Sequence, residues 1–380
     1  MQDIPVVIVG GGLSGLYAAF LLEQKGIAYR LLEASDTLGG RIAVAKYSDA
    51  HAANNSTDID QAESSAAFDL GPSWFWPDYQ TQLSTLIESL DLSRFAQFEE
   101  GDMMVERIAN QPPVRMQGYK SAPPSMRLVG GMAALIDALY ARLDASCIMT
   151  SQTVQQLNRT PQYIEVQSED SSGHMTTFRA QHVLLALPPR LVEGRIVFQP
   201  ALPQDLSEQW RETATWMAPH AKYVAVYESP FWRDSGLSGA ARSAIGPLTE
   251  IHDASTLEGD GALFGFFGIP AQVRQSVSDT VLKEHCRAQL VRLFGEQAST
   301  PKAEYLKDWA QDPLTAMPAD TNGNGQHAVA PQSIPKTGMW QDCLTGCGSE
   351  WSAQFPGYVA GAIDAATVAV QSLPADILYQ

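Results

Sequence analysis

The clearest pattern of apolar and polar positions in this chain lies near its start. Residues 6–9 form a short, uninterrupted apolar run, which predicts a buried strand. Apolar positions then recur at helical spacing over residues 13–24, and a second apolar run covers residues 28–32. A strand, a helix and a second strand in this order are typical of the βαβ unit that begins a doubly wound domain. We therefore expect an α/β fold built on a parallel sheet.

Further helices and strands are predicted along the rest of the chain. Apolar residues at helical spacing predict helices over residues 82–92, 128–143 and 279–294. Alternation of apolar and polar positions predicts strands of a small antiparallel sheet over residues 153–166 and 178–187. Two further runs resemble strands, at residues 223–227 and 263–269.

Two stretches lack such periodicity. Residues 46–67 are small and polar, and we expect them to form a surface excursion. Residues 91–126 are rich in proline, and we expect them to be irregular.

Three glycines follow the first strand in the order Gly10-x-Gly12-x-x-Gly15. Gly10 suits a tight turn, Gly12 lets the backbone approach a pyrophosphate, and Gly15 lets the helix and strand pack closely. The N-terminus of the helix offers unpaired N–H groups and the positive end of its dipole to the same pyrophosphate. Glu33 ends the second strand, where an acid accepts hydrogen bonds from a ribose. Together these residues predict a dinucleotide-binding site.

Composition and charge exclude several classes of function. The chain of 380 residues is long enough for two domains, or for one large fold with two lobes. Its formal net charge of −17 argues against binding to nucleic acid, which needs a basic face. Its four cysteines are too few and too scattered for a disulfide framework, and no histidines accompany them at the spacing of metal ligands. We therefore expect no metal site.

The apolar start of the chain also has to be compared with membrane and secretory segments. Residues 6–22 carry no charge, but their glycine turn favours a nucleotide-binding unit over a membrane span. The flank before residue 6 is acidic, whereas a secretory signal begins with a basic region. We therefore expect no membrane association and a cytoplasmic location.

The residues after the second strand narrow the choice of dinucleotide. The run Glu33-Ala34-x4-Gly39-Gly40-Arg41 resembles the flavin-dependent amine oxidase superfamily, in particular its monoamine oxidase-like members, which bind FAD here. The resemblance covers nearly the whole chain, in segments near residues 6–42, 69–74, 128–139, 182–191, 221–239, 308–313 and 348–368. It implies FAD as the cofactor. The cysteine that bonds FAD covalently in some relatives is missing, so the resemblance implies non-covalent FAD.

The resemblance assigns residues to the phosphate region of the cofactor. It implies that Gly40 and Arg41 form a loop against the phosphates, where the fork of arginine donors matches phosphate oxygens. It places Glu350, within the run Gly348-Ser349-Glu350, at the pyrophosphate.

The resemblance also assigns residues to the two ends of the cofactor. The stretch Gly71-Pro72-Ser73-Trp74 matches a segment whose backbone passes the flavin ring, and the backbone of Val154 matches a contact on the adenine side. A helix that begins near Val359 would direct its N-terminus at the pyrimidine end of the flavin, where a helix dipole favours the anionic reduced form.

Three side chains are implied at the reacting centre. Lys222 matches a lysine that holds a water against flavin N5, where a cation stabilises negative charge on reduced flavin and oxygen. Burial there would depress the pKa of Lys222. Trp309 matches a tryptophan packed near the flavin, and Tyr358 matches one of two tyrosines that sandwich the substrate amine. The second tyrosine is not evident, because Met317-Pro318-Ala319 stands where relatives carry an aromatic residue.

The resemblance implies a domain organisation and a reaction. A discontinuous Rossmann-type FAD domain would comprise residues 1–75, 127–195 and 305–380, and a smaller mixed α+β substrate domain residues 76–126 and 196–304. Hydride would pass from the α-carbon of an amine to flavin N5, giving an imine that hydrolyses to an aldehyde. Molecular oxygen would then reoxidise the flavin and give hydrogen peroxide.

Two alternatives stay open at the level of sequence. The first is a related flavin oxidoreductase that acts on a carbon–carbon bond or a reduced pyridine ring, which the missing second tyrosine would suit. The second is a flavin-binding accessory protein without amine turnover, against which Lys222 and Tyr358 count. The sequence does not indicate the particular substrate or the oligomeric state.

Overall fold

The computed structural model describes residues 3–47, 66–257, 259–322 and 329–378. The surface excursion predicted for residues 46–67 lies almost entirely outside these ranges. Within them, two large sheets carry helices, and a cavity lies between the sheets.

The helices of the described residues agree closely with the predicted ones at residues 13–24 and 279–294, and are shorter at 82–92 and 128–143. In chain order the α-helices are α1 (Leu13–Gln24), α2 (Thr81–Ser89), α3 (Ala133–Tyr140), α4 (Pro189–Arg195), α5 (Gln204–Glu212), α6 (Ala271–Arg274), α7 (Asp279–Phe294), α8 (Val359–Gln371) and α9 (Ala375–Leu378).

The strands follow the predicted apolar runs and include short ones that the sequence pattern does not reveal. In chain order they are β1 (Asp3–Val9), β2 (Tyr29–Leu32), β3 (Val44–Tyr47), β4 (Ala66–Asp69), β5 (Arg94–Ala96), β6 (Asp102–Glu106), β7 (Val114–Met116), β8 (Met126–Leu128), β9 (Ile148–Met149), β10 (Gln152–Arg159), β11 (Ile164–Asp170), β12 (Met175–Leu185), β13 (Val197–Gln199), β14 (Ala221–Tyr227), β15 (Leu237–Ser243), β16 (Leu248–Asp253), β17 (Gly261–Phe267), β18 (Ala303–Asp308) and β19 (Leu344–Gly346).

The first sheet has the strand order β13-β10-β11-β12-β1-β2-β9, and β19 also pairs with β12. β1 pairs in parallel with β2 and β12, so that Val7 lies opposite Arg30 on one side and Val183 on the other. The expected Rossmann-type α/β fold is therefore confirmed. The antiparallel pairing expected for residues 153–166 and 178–187 is confirmed, but these strands do not form a small sheet of their own. β12 is long enough to pair with β11 through its first half and with β1 through its second, so the antiparallel strands extend the same sheet.

Helices cover both faces of the first sheet. Val6 and Ile8 point to one face and pack with apolar residues of α1, α3 and α8. Val7 and Val9 point to the other face and pack in a cluster that includes the fully buried Trp210 of α5. Because α1 is enclosed by the sheet, α3 and α8, it is apolar on nearly every side.

The second sheet has the strand order β18-β14-β17-β16-β15-β6-β7. α7 covers one face, where its Leu290 belongs to the same buried cluster as Tyr223 of β14. Successive residues of a strand point to opposite faces, so Lys222 faces the other way. Lys222 is paired with Phe266 of β17 on one side and with Lys307 of β18 on the other. These three side chains therefore form a row on the face that borders the cavity.

The expectation that residues 91–126 are irregular is wrong in part. β6 and β7 form a hairpin that extends the second sheet beyond β15, and β5 pairs with β8. Pro112 and Pro113 lie between β6 and β7, and Pro123 and Pro124 lie before β8. Proline lacks a ladder donor and is tolerated at such connections, so a high proline content did not prevent short strands.

The predicted domain boundaries stay a prediction. β18, residues 303–308, belongs to the second sheet, and the chain returns to the first sheet at β19. In the described part of the chain, no helix combines the length and apolar character needed to cross a membrane.

Candidate functional site

A cavity of about 820 Å³ lies where the carboxyl ends of β1 and β2 meet the second sheet. Doubly wound folds bind ligands at this edge of the sheet. The predicted site residues that line it are Gly10, Gly12, Glu33, Gly40, Arg41, Gly71, Ser73, Trp74, Val154, Lys222, Trp309, Tyr358 and Val359. The other two predicted residues, Gly15 and Glu350, lie behind its wall.

The glycine turn connects β1 to α1 at one end of the cavity. Gly10 has a φ of +106°, and its N–H donates to the carbonyl of Leu32 at 2.8 Å. A Cβ on Gly15 would lie 1.9 Å from the carbonyl oxygen of Gly10, so only glycine allows this close packing of helix and strand. A Cβ on Gly12 would meet no protein atom closer than 3.8 Å and would project into the cavity instead.

The N-terminus of α1 is available to an anion. In the described part of the chain no side chain caps it, and its first turn contains no acid. Its N–H groups and the positive end of its dipole therefore remain for a ligand in the cavity.

Glu33 follows β2 and lies at the edge of the cavity. Its carboxylate accepts the N–H groups of Gly11 at 2.5 Å and Ser35 at 2.8 Å. Burial raises the pKa of Glu33 by more than these hydrogen bonds lower it. The two N–H groups fix the carboxylate in one orientation, and its remaining lone pairs can accept hydrogen bonds from a ribose.

Arg41 and Glu350 form an ion pair behind the phosphate end of the cavity. Nη2 of Arg41 lies 2.9 Å from Oε2 of Glu350 and 3.0 Å from Oγ of Ser349, while Nη1 contacts Oε1 of Glu350. Glu350 is 2% exposed, and its carboxylate also accepts the N–H of Trp216 at 3.2 Å. Burial alone would raise the pKa of Glu350, but the Arg41 guanidinium outweighs burial and holds the pKa below its ordinary value.

The Glu350 carboxylate faces Arg41 and does not line the cavity. It therefore affects a ligand in the cavity by fixing the position of the Arg41 side chain. The Arg41 side chain is partly exposed and reaches the cavity. The pair therefore holds the Arg41 guanidinium in a fixed position in the cavity that the glycine turn also lines. A direct contact of Glu350 with a pyrophosphate stays a prediction.

Lys222 lines the cavity and is only 2% exposed. Its Nζ donates to Oγ of Ser73 at 2.7 Å and to the carbonyl of Gly71 at 3.1 Å. The same Nζ lies 4.0 Å from the centre of the Phe264 ring. Burial lowers the pKa of Lys222 to about 7, although the charge of Asp69 opposes the shift. The lysine therefore changes its charge near neutral pH.

Trp309 follows β18 and lies beside the segment that carries Gly71. Its indole N–H donates to the carbonyl of Leu70 at 3.2 Å. Nζ of Lys307 lies 4.5 Å from the indole and 2.5 Å from the carboxylate of Asp312. These contacts hold the indole of Trp309 in the cavity wall. The charge of Lys307 is neutralised by Asp312.

Tyr358 and Trp216 form an aromatic wall at the start of α8. Their ring centres are 6.1 Å apart and their planes are inclined by 33°. Tyr358 is 36% exposed, and both rings line the cavity. The sequence indicated no second ring beside Tyr358. Trp216 comes from the loop before Lys222, rather than from the loop after Trp309 where relatives carry one.

A buried carboxylate holds the Trp216 loop in place. Asp320 accepts the N–H groups of Thr215 and Met317, each at 2.9 Å, and pairs with Arg190 of α4. The acid therefore joins the loop before Trp216 to the loop that follows Trp309.

Sequence reasoning missed several other residues that line the cavity. They are Trp76, Trp216, Met217, His220, Phe264 and Phe266. Two signals could have found part of this set. His220 precedes Lys222 by two positions and therefore shares its side of the chain, and Phe266 is the cross-strand neighbour of Lys222.

The donors and acceptors of the cavity fit a flavin dinucleotide. The uncapped helix and Arg41 suit a pyrophosphate, and Glu33 suits a ribose. Trp309, Lys222 and Phe264 line the same cavity, and its aromatic walls suit a planar ring. Among the residues that the structure describes, no cluster of His, Cys, Asp or Glu is arranged to hold a metal ion.

Comparison with known proteins agrees with this geometry. The family described as flavin containing amine oxidoreductase matches residues 97–373, and an NAD(P)-binding Rossmann-like domain matches residues 8–90. A probable flavin-containing monoamine oxidase A of Dictyostelium discoideum is 21% identical, over 94% of this chain and 95% of its own length. Putrescine oxidase of Kocuria rosea is 30% identical, over 50% of this chain and 41% of its own length.

Solved structures share the fold. A structure of putrescine oxidase superposes with a TM-score of 0.77 at 20% identity, and covers 99% of both chains. Cyclohexylamine oxidase from Brevibacterium oxydans has a TM-score of 0.77 at 18% identity, again over 99% of both chains. The family match spans most of the chain, and the cavity supplies the glycine turn, acid and arginine that a flavin dinucleotide requires. The chain therefore belongs to the family of flavin-containing amine oxidoreductases and is a flavin-dependent enzyme.

Proposed function

We propose that this protein is an FAD-dependent amine oxidase that converts an amine to an imine and reduces oxygen to hydrogen peroxide. The observation that carries the proposal is the position of Lys222. Its Nζ lies inside the same cavity as the glycine turn and the aromatic wall, held by Ser73 and the carbonyl of Gly71. In its charged form, a lysine at this position can stabilise the negative charge that develops as oxygen takes up electrons.

Residues of the first sheet would hold the cofactor. The turn at Gly12 and the N-terminus of α1 would take the pyrophosphate together with Arg41, and Glu33 would take the ribose. The backbone of Val154 and the start of α8 at Val359 would contact the two ends of the molecule. FAD supplies the hydride acceptor for the α-carbon of the amine and the electrons for oxygen.

The aromatic wall supports an amine as the substrate. Ring faces of tyrosine and tryptophan attract a cationic or lone-pair nitrogen, and Tyr358 and Trp216 present two such rings at one place. Lys307, which also lines the cavity, is neutralised by Asp312 and does not compete with the rings for the substrate.

The test is anaerobic mixing of the purified yellow protein with benzylamine, cyclohexylamine and putrescine. We expect at least one amine to bleach the flavin absorbance, and hydrogen peroxide to form once air is admitted. A flavin that keeps its colour with every amine would contradict the proposed function. Bleaching by a reduced pyridine nucleotide alone would favour the related oxidoreductase instead.

Non-covalent attachment of FAD gives a further expected result. Acid precipitation should release all the yellow colour into the supernatant, because the cysteine that forms a covalent link in some relatives is missing from this chain. The measurement is the flavin absorbance of the supernatant and the pellet. Colour that stays with the denatured pellet would contradict this expectation.

Tyr358→Ala should impair the reduction of flavin by an amine while FAD stays bound. Loss of the ring removes one side of the aromatic wall, which should cost about 1–2 kcal/mol, or roughly tenfold in efficiency. Tyr358→Phe should cost less, because the ring face makes the contact. The measurement is the reduction rate per bound flavin by anaerobic stopped flow.

Tyr140→Ala is a matched control, because Tyr140 is exposed on α3 and does not line the cavity. If Tyr358 only packs the start of α8, Tyr358→Ala will lower the unfolding temperature and leave the reduction rate per flavin at the parental value. That result would exclude the aromatic wall as the amine site.

A further inference from the structure

His220 lies in the cavity beside Lys222. It immediately precedes β14, and its carbonyl accepts the N–H of Trp309 at 3.1 Å, so the pairing of β14 with β18 continues through it. Residues two positions apart in an extended strand point the same way. His220 and Lys222 therefore project from the same side of the strand, and both line the cavity.

The imidazole of His220 is half-buried and open to the cavity. In the described part of the chain, its backbone groups form hydrogen bonds but neither ring nitrogen forms a hydrogen bond to the protein. His182, which is almost fully buried, differs in this respect, since both of its ring nitrogens contact oxygen atoms of β19 or of the residues just before it. A ring nitrogen of His220 is thus available to a ligand.

Burial and a nearby cation keep the imidazole of His220 neutral. Lys222 projects from the same side of the strand, and Arg274 of α6, which is paired with Asp308, donates to the carbonyl of the neighbouring Pro219. Lys307 of β18 is paired with Asp312. Burial lowers the pKa of His220, and the charge of Arg274 lowers it further. At neutral pH the imidazole is therefore a proton acceptor.

We propose that His220 is a catalytic residue which removes a proton from the bound amine substrate. This inference rests on the proposed function, because it assumes that an amine occupies the cavity. An alkylamine has a pKa of about 10.4, as the lysine side chain does, and arrives as an ammonium ion. Hydride can leave the α-carbon only when the nitrogen has a free electron pair to form the imine.

The proposed step is a proton transfer. One N–H bond of the ammonium ion breaks, its electron pair stays on the nitrogen, and the proton goes to a ring nitrogen of His220. The imidazolium then releases this proton to water after the product has left, and the imidazole returns to its neutral form. No further reactant is consumed in this step.

Lys222 is the other group in the cavity that could accept the proton. Its Nζ is already enclosed by the hydroxyl of Ser73, the carbonyl of Gly71 and the ring of Phe264. Its pKa of about 7 also leaves it partly protonated at neutral pH, and the protonated form has no free electron pair. By contrast, neither ring nitrogen of His220 forms a hydrogen bond to a described residue. The experiment therefore compares variants of both residues.

The first measurement is the limiting rate of flavin reduction by the fastest amine of the panel, between pH 6 and pH 10. We expect His220→Gln to be about 100-fold slower than the parent at pH 7, within the range of general base catalysis. The difference should shrink towards pH 10, where the amine is itself neutral in solution. His285→Gln is the control, because His285 is exposed on α7, and it should match the parent.

FAD content and unfolding temperature show whether His220→Gln is folded. A parental rate and a parental pH profile in folded His220→Gln would overturn the proposal. So would a pH dependence that persists in His220→Gln and disappears in Lys222→Met, since it would assign the base to Lys222.

The second measurement does not depend on turnover. In the holoenzyme labelled with 13C at histidine Cε1, the His220 signal is the one missing from His220→Gln. Addition of 2-phenylpropan-2-amine, which has no α-hydrogen and cannot be oxidised, should shift this signal at pH 7.5, because the bound ammonium ion donates a hydrogen bond to a ring nitrogen of His220. A signal that stays unchanged while the amine saturates the flavin spectrum would overturn the proposal.

The two proposals fail in different ways. If amines bleach the parent and His220→Gln equally, only the role of His220 is wrong. If no amine bleaches the parent, the proposed function is wrong, and the role of His220 is wrong with it.

Discussion

Lys222→Met should slow the reoxidation of reduced flavin by oxygen about 100-fold, the size of effect seen when one group that stabilises a developing charge is removed. Flavin reduction by an amine should slow much less. The physical reason is the position of the ammonium group, which is almost fully buried at the inner wall of the cavity, where little water screens it. Stopped-flow measurement of both half-reactions gives the two rates separately.

The same lysine predicts a pH dependence. Burial lowers its pKa to about 7, so Nζ carries a charge below this pH and loses it above. Reoxidation by the parent should therefore become slower as the pH rises through 7, and Lys222→Met should show no such change. Lys283→Met on α7 is a suitable control, because Lys283 lies outside the cavity. Parental reoxidation by Lys222→Met would place the oxygen reaction elsewhere.

Glu350→Gln should weaken both the fold and the retention of FAD. The carboxylate is buried against Arg41, and loss of one partner of a buried ion pair leaves the other charge uncompensated, at a cost of about 3–5 kcal/mol. The effect should appear as a lower unfolding temperature and a larger Kd for FAD. Because the folded-state pKa of Glu350 lies below its ordinary value, the pair stabilises the protein above about pH 4.3, the ordinary value for glutamate, and this stabilisation is lost as the pH falls further.

A double variant separates the two roles of this pair. Arg41→Gln combined with Glu350→Gln removes both charges, and replacement of a whole buried pair is often close to neutral for stability. We expect the unfolding temperature of the apoprotein to recover in part while the Kd for FAD stays raised. Recovery of both quantities would show that Arg41 does not hold the cofactor.

The part of the cavity formed by the first βαβ unit could be predicted from the sequence, because its residues are close together along the chain. The turn Gly10–Gly15 and the acid Glu33 lie within one βαβ unit, where backbone geometry fixes their relation. The helices over residues 13–24 and 279–294 could also be predicted, because they run for 12 and 16 residues without a proline. By contrast, the three-residue strands β5, β7 and β8 carry too few positions to show a period, and only their partners in the sheet define them.

The contacts of the aromatic wall and of the buried ion pair could not be predicted from the sequence, because the contacting residues are far apart along the chain. Trp216 contacts Tyr358, and Arg41 contacts Glu350, although each pair is widely separated in sequence. The spacing of residues within one helix or strand cannot predict such contacts. The residues after Trp309 include no aromatic residue that would have indicated a ring beside Tyr358, because Trp216 comes from a different loop. Asp320 shows the same limit, since its two N–H partners and its arginine come from three separate segments.

The strands that adjoin β1 in the first sheet are synthesised at very different times. β2 follows it closely in sequence, whereas β12 begins only at Met175, and β19, which extends the other edge of β12, begins at Leu344. Pairing between distant segments is slow, because the entropy of closing a long loop is lost before the contacts can compensate. During synthesis the apolar strand β1 therefore has one unpaired edge until residue 185 has emerged, and such an edge can pair with another chain. The cavity itself closes only when α8 has formed, so the cofactor can bind only after nearly the whole chain has folded.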